Sequence, residues 1–428
     1  MFTYKFHGVE FTTDNKNLVR YTKDAYGPYK VPEGVSVIAD NAFLFCEELT
    51  SIVIPDTVSH IGHNAFIRCS GLSSVDLPDS VRYIGYGAFC DCQNLEAIHV
   101  SPKNRWFCSV NGILYNKKMT VLYAVPAKIQ GELVIPEGVK SIKRDAFRGC
   151  QRLTAIHLPS TLIKIDAGAT IGCTSLRTLT VAEGNPKYDS RSNCNAIIET
   201  ATNKLIAGCK GTKIVEGISS ITENAFHQEN CPTDIYIPRS LSRVTSDMFV
   251  WCELESIVVA PDHPRYDSRG GCNAVIETRT KKLVVGGNRT VIPNGVTVIG
   301  TAAFLGRNGL LFIDIPSSVV RIESCAFNEC MGLKMAVLPD SVRSVEHMAF
   351  ATCRDLNFVK LSAKLRRIGG AAFAGCSYTN VALPDSLRVL DEDAFSCRNL
   401  KTIYVSDSLR KRLESELEPY EDKLVTIP

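Results

Sequence analysis

The dipeptide Ala-Phe returns along this chain on a spacing of 23 residues, and that spacing restricts the fold more than any other feature. It stands at Ala42-Phe43, Ala65-Phe66, Ala88-Phe89, Ala146-Phe147, Ala225-Phe226, Ala303-Phe304, Ala326-Phe327, Ala349-Phe350, Ala372-Phe373 and Ala394-Phe395, with degenerate copies at Ala169-Thr170 and Met248-Phe249. A unit this short cannot enclose a core, so each of the twelve copies must bury its apolar face against its neighbours in a stack. A solenoid follows.

Within a unit, Leu72, Val75, Leu77, Pro78, Val81, Ile84, Gly85, Ala88, Phe89 and Cys92 mark the recurring positions. The alternation around Val75 and Leu77 reads as a short strand with one buried face, and the proline ends it because it cannot donate to a ladder. The Val81 to Gly85 piece reads as a second short strand. An acidic residue or asparagine before Ala-Phe reads as the start of one helical turn.

The segments Val342 to Val345 with His347-Met348-Ala349-Phe350 and Cys353, and Leu383 to Leu387 with Ala394-Phe395, resemble the BspA-like leucine-rich repeat family, over roughly residues 31–405. The resemblance implies an α/β leucine-rich repeat solenoid of about twelve 23-residue repeats, β-rich with short helical turns and β-hairpin inserts. Many members of that family are surface proteins implicated in adhesion or protein binding, so the resemblance implies an interaction role.

The spacing skips three times, each time by about 33 additional residues, which places inserts near 101–134, 182–214 and 260–292. The last two are near copies: Pro186 to Arg191 and Cys194 to Thr200 match Pro264 to Arg269 and Cys272 to Thr278. Apolar runs about a short polar turn, such as Asn111 to Tyr115 and Val121 to Ala124 around Asn116, read as hairpins. Residues 1–30 contain a similar pair, Gly8 to Phe11 and Leu18 to Tyr21, and read as an N-terminal cap. The solenoid then occupies 31–405, and 406–428 reads as a C-terminal cap: Leu409, Leu413 and Leu417 fall on one helical face, Pro419 stops the helix, and Leu424 to Ile427 can add a strand. No Ser-, Gly- or Pro-rich linker separates a second domain.

A net charge of +3, from 48 basic and 45 acidic residues, is too balanced for simple electrostatic binding of nucleic acid. No apolar run reaches the length of a membrane span. Met1 to Lys16 shows no signal peptide, so a cytoplasmic protein is expected if Met1 is the native start, with a cell-surface or secreted protein lacking its leader as the alternative. Nine of the 17 cysteines recur at one repeat position: Cys46, Cys69, Cys92, Cys150, Cys173, Cys252, Cys330, Cys353 and Cys376. Stacked and buried, they are expected to act as small hydrophobes and to stay reduced, which points to a reducing compartment.

No catalytic, metal or cofactor site is expected. The close pairs Cys90/Cys92 and Cys325/Cys330 include ladder cysteines, and the histidines are scattered, although His99 and His157 share a strand position in consecutive copies and are expected to be near neighbours. Asp189-Ser190-Arg191 and Asp267-Ser268-Arg269 read as turn-stabilising motifs. More informative is the residue before the core isoleucine of the first strand. It is small or polar at Ser51, Ser74, Ala97, Ala155, Thr178, Asp234 and Ser256, then becomes Phe312, Met335 and Phe358, with Val337 beside them. Such a stripe marks a protein contact. Arg343, Arg366 and Arg388 share one outward position on the second strand, with Arg321 and Arg367 at the next and Glu323, Glu346 and Asp391 available to offset them. The expected function is a non-enzymatic scaffold binding a protein partner. The alternative is a surface adhesin for host or matrix protein or for carbohydrate, with Trp106, Tyr188 and Tyr266 stacking on sugars.

Overall fold

The computed structural model describes residues 3–6, 8–21, 26–166, 168–223, 225–226 and 230–427. Residues 1, 2, 7 and 22–25 of the expected N-terminal cap, and 428 of the C-terminal cap, lie outside the described residues. The chain forms two compact units, Met1–Thr212 and Lys213–Pro428, each a stretch of leucine-rich repeat β-solenoid.

Each coil has three sides. The first strands pair in parallel with their equivalents one coil on, as Ser74–Leu77 does with Ala97–Val100, and Met335–Val337 with Phe358–Lys360. The proline that follows makes a turn, with the Val81 N–H reaching the Pro78 carbonyl, and a two-residue second strand such as Tyr83–Ile84 pairs in parallel with its own equivalents. The third side carries Ala-Phe. Instead of a regular helix it is a run of tight turns, with Leu44 and Cys46 donating to the carbonyls three residues back. A 3-10 helix appears at the degenerate copy, Ser246–Phe249.

The reason lies in the backbone. In most coils two residues, one on each side of Ala-Phe, are left-handed: Asn41 and Phe45, Asn64 and Arg68, Met348 and Thr352. Glycine takes the second place at Gly149, Gly306 and Gly375. This alternation turns every second N–H toward the next coil, so Asn41, Phe43 and Phe45 donate to the His63, Ala65 and Ile67 carbonyls at 2.9, 2.7 and 3.1 Å. A turn therefore works as a ladder rung.

All ten repeat phenylalanines are buried. Their rings stack at 4.9 and 5.6 Å along Phe43, Phe66 and Phe89, and at 4.8, 4.8, 5.2 and 5.8 Å along Phe304, Phe327, Phe350, Phe373 and Phe395. Tyr21 at 5.0 Å from Phe43, and Tyr420 edge-on to Phe395 at 6.1 Å, close these runs. The row is broken into runs, however, where the inserts intervene. At the third insert Gly286 takes the place beside Phe304; a Cβ there would lie 2.0 Å from the ring.

The inserts are three-stranded antiparallel meanders, one strand more than the hairpins read from the sequence. Phe107–Val110, Ile113–Asn116 and Val121–Ala124 form the first; Tyr188–Asp189, Ile197–Glu199 and Lys204–Ala207 the second; Tyr266–Asp267, Ala274–Glu277 and Lys282–Gly286 the third. Thr3–Phe6, Val9–Thr12 and Asn17–Tyr21 repeat the design at the N-terminus. In the first, the third and the N-terminal meander, the last strand pairs in parallel with the second strand of the next coil, as Leu122 does with Ile142 and Leu283 with Ile299. Each of these meanders thus supplies a rung, and the coils outnumber the twelve Ala-Phe units. At the C-terminus the Ser406 side chain caps the helix Asp407–Arg412 by accepting from the Leu409 N–H, Leu409, Leu413 and Leu417 are buried, and Leu424–Ile427 adds a parallel strand to Thr402–Ser406.

The cysteine position has a role beyond filling space. Cys69, Cys92, Cys330, Cys353 and Cys376 donate their thiols to the carbonyls of Phe43, Phe66, Phe304, Phe327 and Phe350, one coil back, at 3.1, 3.0, 3.0, 3.0 and 3.2 Å. One expectation fails: Cys252 is joined to Cys231 in a disulfide, because Cys231 comes within a Cα separation of 5.5 Å of the ladder position. In the coil of Phe304 the cysteine is replaced by Arg307, fully buried, whose guanidinium donates to the Phe249 and Gly286 carbonyls at 2.8 and 2.9 Å. It bridges the insert that a thiol cannot span, and burial lowers its pKa to about 10.

Truncating one ring in mid-stack, Phe327→Ala, should cost about 3–5 kcal/mol through the cavity left behind, read as a lowered urea midpoint; a change within error would show that the stack does not hold the coils. Titration of native protein with a thiol reagent should label at most Cys108 and Cys325, the two half-buried free cysteines, whereas denaturation without reductant should expose 15. Burial pushes the Cys92 and Cys330 thiols from an ordinary 9.0 up to about 12, so the neutral thiol is favoured in the fold. The stability this contributes is complete below pH 9.0 and is lost as pH rises toward about 12. Cys→Ala replacement of these two should flatten that part of the melting-temperature profile.

Candidate interaction face

Strand alternation places the stripe. Ala336 and Val359 point into the core, so their neighbours Met335, Val337 and Phe358 point out, with Met335 opposite Phe358 and Val337 opposite Lys360. Phe312, one coil earlier, is 62% exposed; Met335, Val337 and Phe358 are 36%, 39% and 49% exposed. The Lys334 N–H bonded to the Leu311 carbonyl at 3.0 Å ties the Phe312 segment to the coil of Met335. In the next coil the equivalent outward residue is Asn380, and Lys360 and the Lys334–Asp355 pair at 2.5 Å give the stripe polar neighbours.

The arginines occupy the second strand, beyond the proline corner. Arg366 N–H donates to the Arg343 carbonyl and Arg388 N–H to the Arg366 carbonyl, at 2.8 and 2.9 Å, so the three sit on successive coils. The carboxylates expected to offset them engage the neighbouring row instead. Arg321 pairs with Glu323 at 2.9 Å, and Arg367 with Glu346 and Asp391 at 3.3 and 2.5 Å. Among the described residues no carboxylate lies within ion-pair distance of Arg343, Arg366 or Arg388; the Arg343 guanidinium donates to the Asp340 carbonyl at 2.6 Å.

A family model describing the BspA type leucine-rich repeat region, of six copies, matches residues 26–111, 127–207, 193–266 and 287–401. The chain belongs to the BspA-type leucine-rich repeat family. Among solved structures it is similar to a leucine-rich cell surface protein of Faecalibacterium prausnitzii, at 22% identity and a TM-score of 0.43 over 100% of this chain and 94% of that one. It is also similar to leucine-rich repeat proteins of Eubacterium ventriosum, at 18% identity, TM-score 0.31 and 88% and 95% coverage, and of Bacteroides ovatus, at 20%, 0.29 and 99% and 97%. No curated protein matches the chain.

Other residues singled out in this BspA-type sequence have local roles. Arg191 and Arg269 each clamp the aspartate two residues before them at 2.5 and 2.8 Å, while Ser190 and Ser268 accept from the Val181 and Val259 N–H groups. Burial opposes ionisation of Asp189 and Asp267, but the arginine hydrogen bonds outweigh it and hold both carboxyls below their usual range. Tyr188 and Tyr266, on the first strands of their meanders, are buried at 4% and 2% exposure, with Tyr188 in the core and the Tyr266 hydroxyl bonded to the Val244 backbone; of the three aromatics proposed for sugar stacking, Trp106 alone is exposed. His99 and His157 are not neighbours: His99 pairs with Asp76, and His157 lies between Val134 and Thr180 in another sheet. Cys90 and Cys92 send their thiols to different carbonyls, those of Asp145 and Phe66. No described helix is long and apolar enough to cross a membrane.

The stripe read from the sequence leaves out two further groups. Tyr236 and Val258 form an exposed cross-strand pair at the outward position equivalent to Val337. Tyr83, Tyr86 and Tyr123 gather around His63 in unit Met1–Thr212. Tyr236 on its first strand and Tyr83 on its second were the aromatic signals available in the sequence.

Proposed function

We propose that this BspA-type chain is a non-enzymatic protein-binding scaffold that docks a partner on Phe312, Met335, Val337 and Phe358, with Arg343, Arg366 and Arg388 steering acidic surfaces toward it. The supporting observation is the exposure of these apolar side chains on consecutive coils, the strands of Met335 and Phe358 paired and the Phe312 segment bonded to the coil of Met335. Such anchors lose little entropy on binding, and burying each is worth about 2 kcal/mol. The arginines, lacking carboxylate partners, act on association rate and its salt dependence.

The Cys231–Cys252 disulfide favours a second element of the proposal, a location at the cell surface or in a secreted state, where such bonds persist. There the same face would act in adhesion to a host or matrix protein. Protease treatment of intact source cells should then remove the protein; protection from protease would return it to the cytoplasm.

Replacing Phe312, Met335 and Phe358 together by serine should leave circular dichroism and the melting profile unchanged, since the ring stack and thiol ladder are untouched. Affinity for a partner identified by cross-linking to the native protein should fall by about thirtyfold or more. Arg343→Ala with Arg366→Ala and Arg388→Ala should instead slow association and reduce its salt dependence. Retention of the partner by the serine variant would refute the assignment of this face.

A further inference from the structure

The first insert leaves an opening in the wall of unit Met1–Thr212. The parallel sheet of second strands that begins at the N-terminal meander ends with Tyr83–Ile84, and the next begins afresh at Phe107–Val110, Ile113–Asn116 and Val121–Ala124. Among the described residues no strand continues the sheet beyond Tyr83–Ile84. The apolar core divides at the same place: Phe107 and Leu114 belong to the cluster running back to Val9, Ile113 and Tyr115 to the one running on to Cys209.

A cleft of about 480 Å³ occupies this break, lined by His63, Tyr83, Tyr86, Tyr123, Lys143 and Arg144. Its polar groups are already set. The Tyr86 N–H donates to His63 Nδ1 at 3.0 Å, so the neutral imidazole carries its proton on Nε2 and donates it to the Tyr83 oxygen at 3.2 Å. The Tyr83 O–H is then free to donate into the cleft. The His63 and Tyr86 rings lie 3.9 Å apart, the Arg144 guanidinium stands 5.5 Å over Tyr86, and the Lys143 ammonium 5.7 Å over Tyr123, which Phe107 braces edge-on at 5.1 Å. Burial and the nearby Tyr83 push the Tyr123 phenol up, keeping it a neutral donor.

The charge is unbalanced. The lining also includes Arg82 and one carboxylate, Asp166, which Lys164 already engages at 3.1 Å. Arg144 has a distant contact with Asp145 at 3.8 Å, and among the described residues Lys143 and Arg82 have no ion pair.

We propose that this cleft binds an acidic saccharide, a sugar ring bearing a carboxylate or sulfate. A pyranose offers an apolar C–H face to one tyrosine and hydroxyls to the phenols, and its anionic group meets Lys143 and Arg144. A flat aromatic ligand fits less well, because the Tyr86 ring is already stacked with His63 and covered by Arg144. The volume lies within the range of small-ligand pockets, about 300–1,000 Å³, and suits a short saccharide better than a folded partner. The proposal concerns the other unit and is independent of the Phe312 face.

Calorimetric titration of the full chain with a uronate- and sulfate-bearing chondroitin disaccharide, with neutral cellobiose and with a hexaglutamate peptide is the test. Saturable binding of the disaccharide is expected, weakened about tenfold or more in Lys143→Ala/Arg144→Ala and in Tyr83→Ala, with cellobiose at least as weak as these variants show. Trp106→Ala, outside the cleft, should bind normally, and unchanged melting curves exclude misfolding of the cleft variants. Tyr83→Phe keeps the ring and removes the hydroxyl, so an intermediate loss is expected. Absence of saturable disaccharide binding, equal binding by the cleft variants, or preference for the peptide would each overturn the proposal.

Discussion

The ladder of backbone bonds on the Ala-Phe side, where the N–H groups of one coil meet the carbonyls of the next, is the constraint on which the rest of each unit depends. It exists because in most coils two residues accept left-handed dihedrals, a conformation costing roughly 1–2 kcal/mol for residues with a side chain. Asparagine, aspartate and glycine meet that cost cheaply at Asn41, Asn64, Asp145 and Gly149, but Phe45, Met348 and Ala302 occupy it too. They are held there by the rungs above and below. The ring stack and the thiol-to-carbonyl bonds then use the same register, so a slip of one residue would lose all three sets of contacts together.

Departures from the register occur at the inserts, and the structure compensates locally. At the third, glycine clears room for Phe304 and Arg307 reaches the carbonyls that a cysteine would leave without a donor. Its guanidinium has enough N–H groups for several acceptors, which makes a buried cation tolerable. At the first, no described strand continues the second-strand sheet, and the result is a cleft with unneutralised cations. The same kind of sequence event thus gives a sealed joint in one place and an open one in another.

Two kinds of surface follow. A side chain on a hydrogen-bonded strand, such as Met335 or Phe358, is positioned by the coil and needs no partner to order it, which suits an extended contact. The cleft at Tyr83 and Tyr123 is set by the Tyr83–His63 hydrogen bond on one side of the break, the Phe107–Tyr123 ring contact on the other and Arg144 over Tyr86 between them, which suits a small polar ligand. Both rest on exposed groups the stack does not require, so each can change without loss of the fold.

The sequence by itself determined the repeat, the burial of Phe43 through Phe395, the strand-ending prolines and the outward position of Phe312, Met335, Val337 and Phe358, because each is a matter of period and alternation within a coil. It also led to the structural reading of the Asp-Ser-Arg motifs for their Asp–Arg pairs, which span two residues, while the serines reach Val181 and Val259 nine residues away. Tertiary structure alone decided what depends on neighbours far along the chain. The third strand of each meander, the thiol donation to a carbonyl one coil back, the Cys231–Cys252 bond, the burial of Tyr188 and Tyr266 and the pairing of Arg367 in place of Arg366 all require knowing which coil lies beside which. The cleft required still more: its lining comes from positions 63 to 166, brought together where two sheets fail to meet, and no local pattern encodes a missing bond.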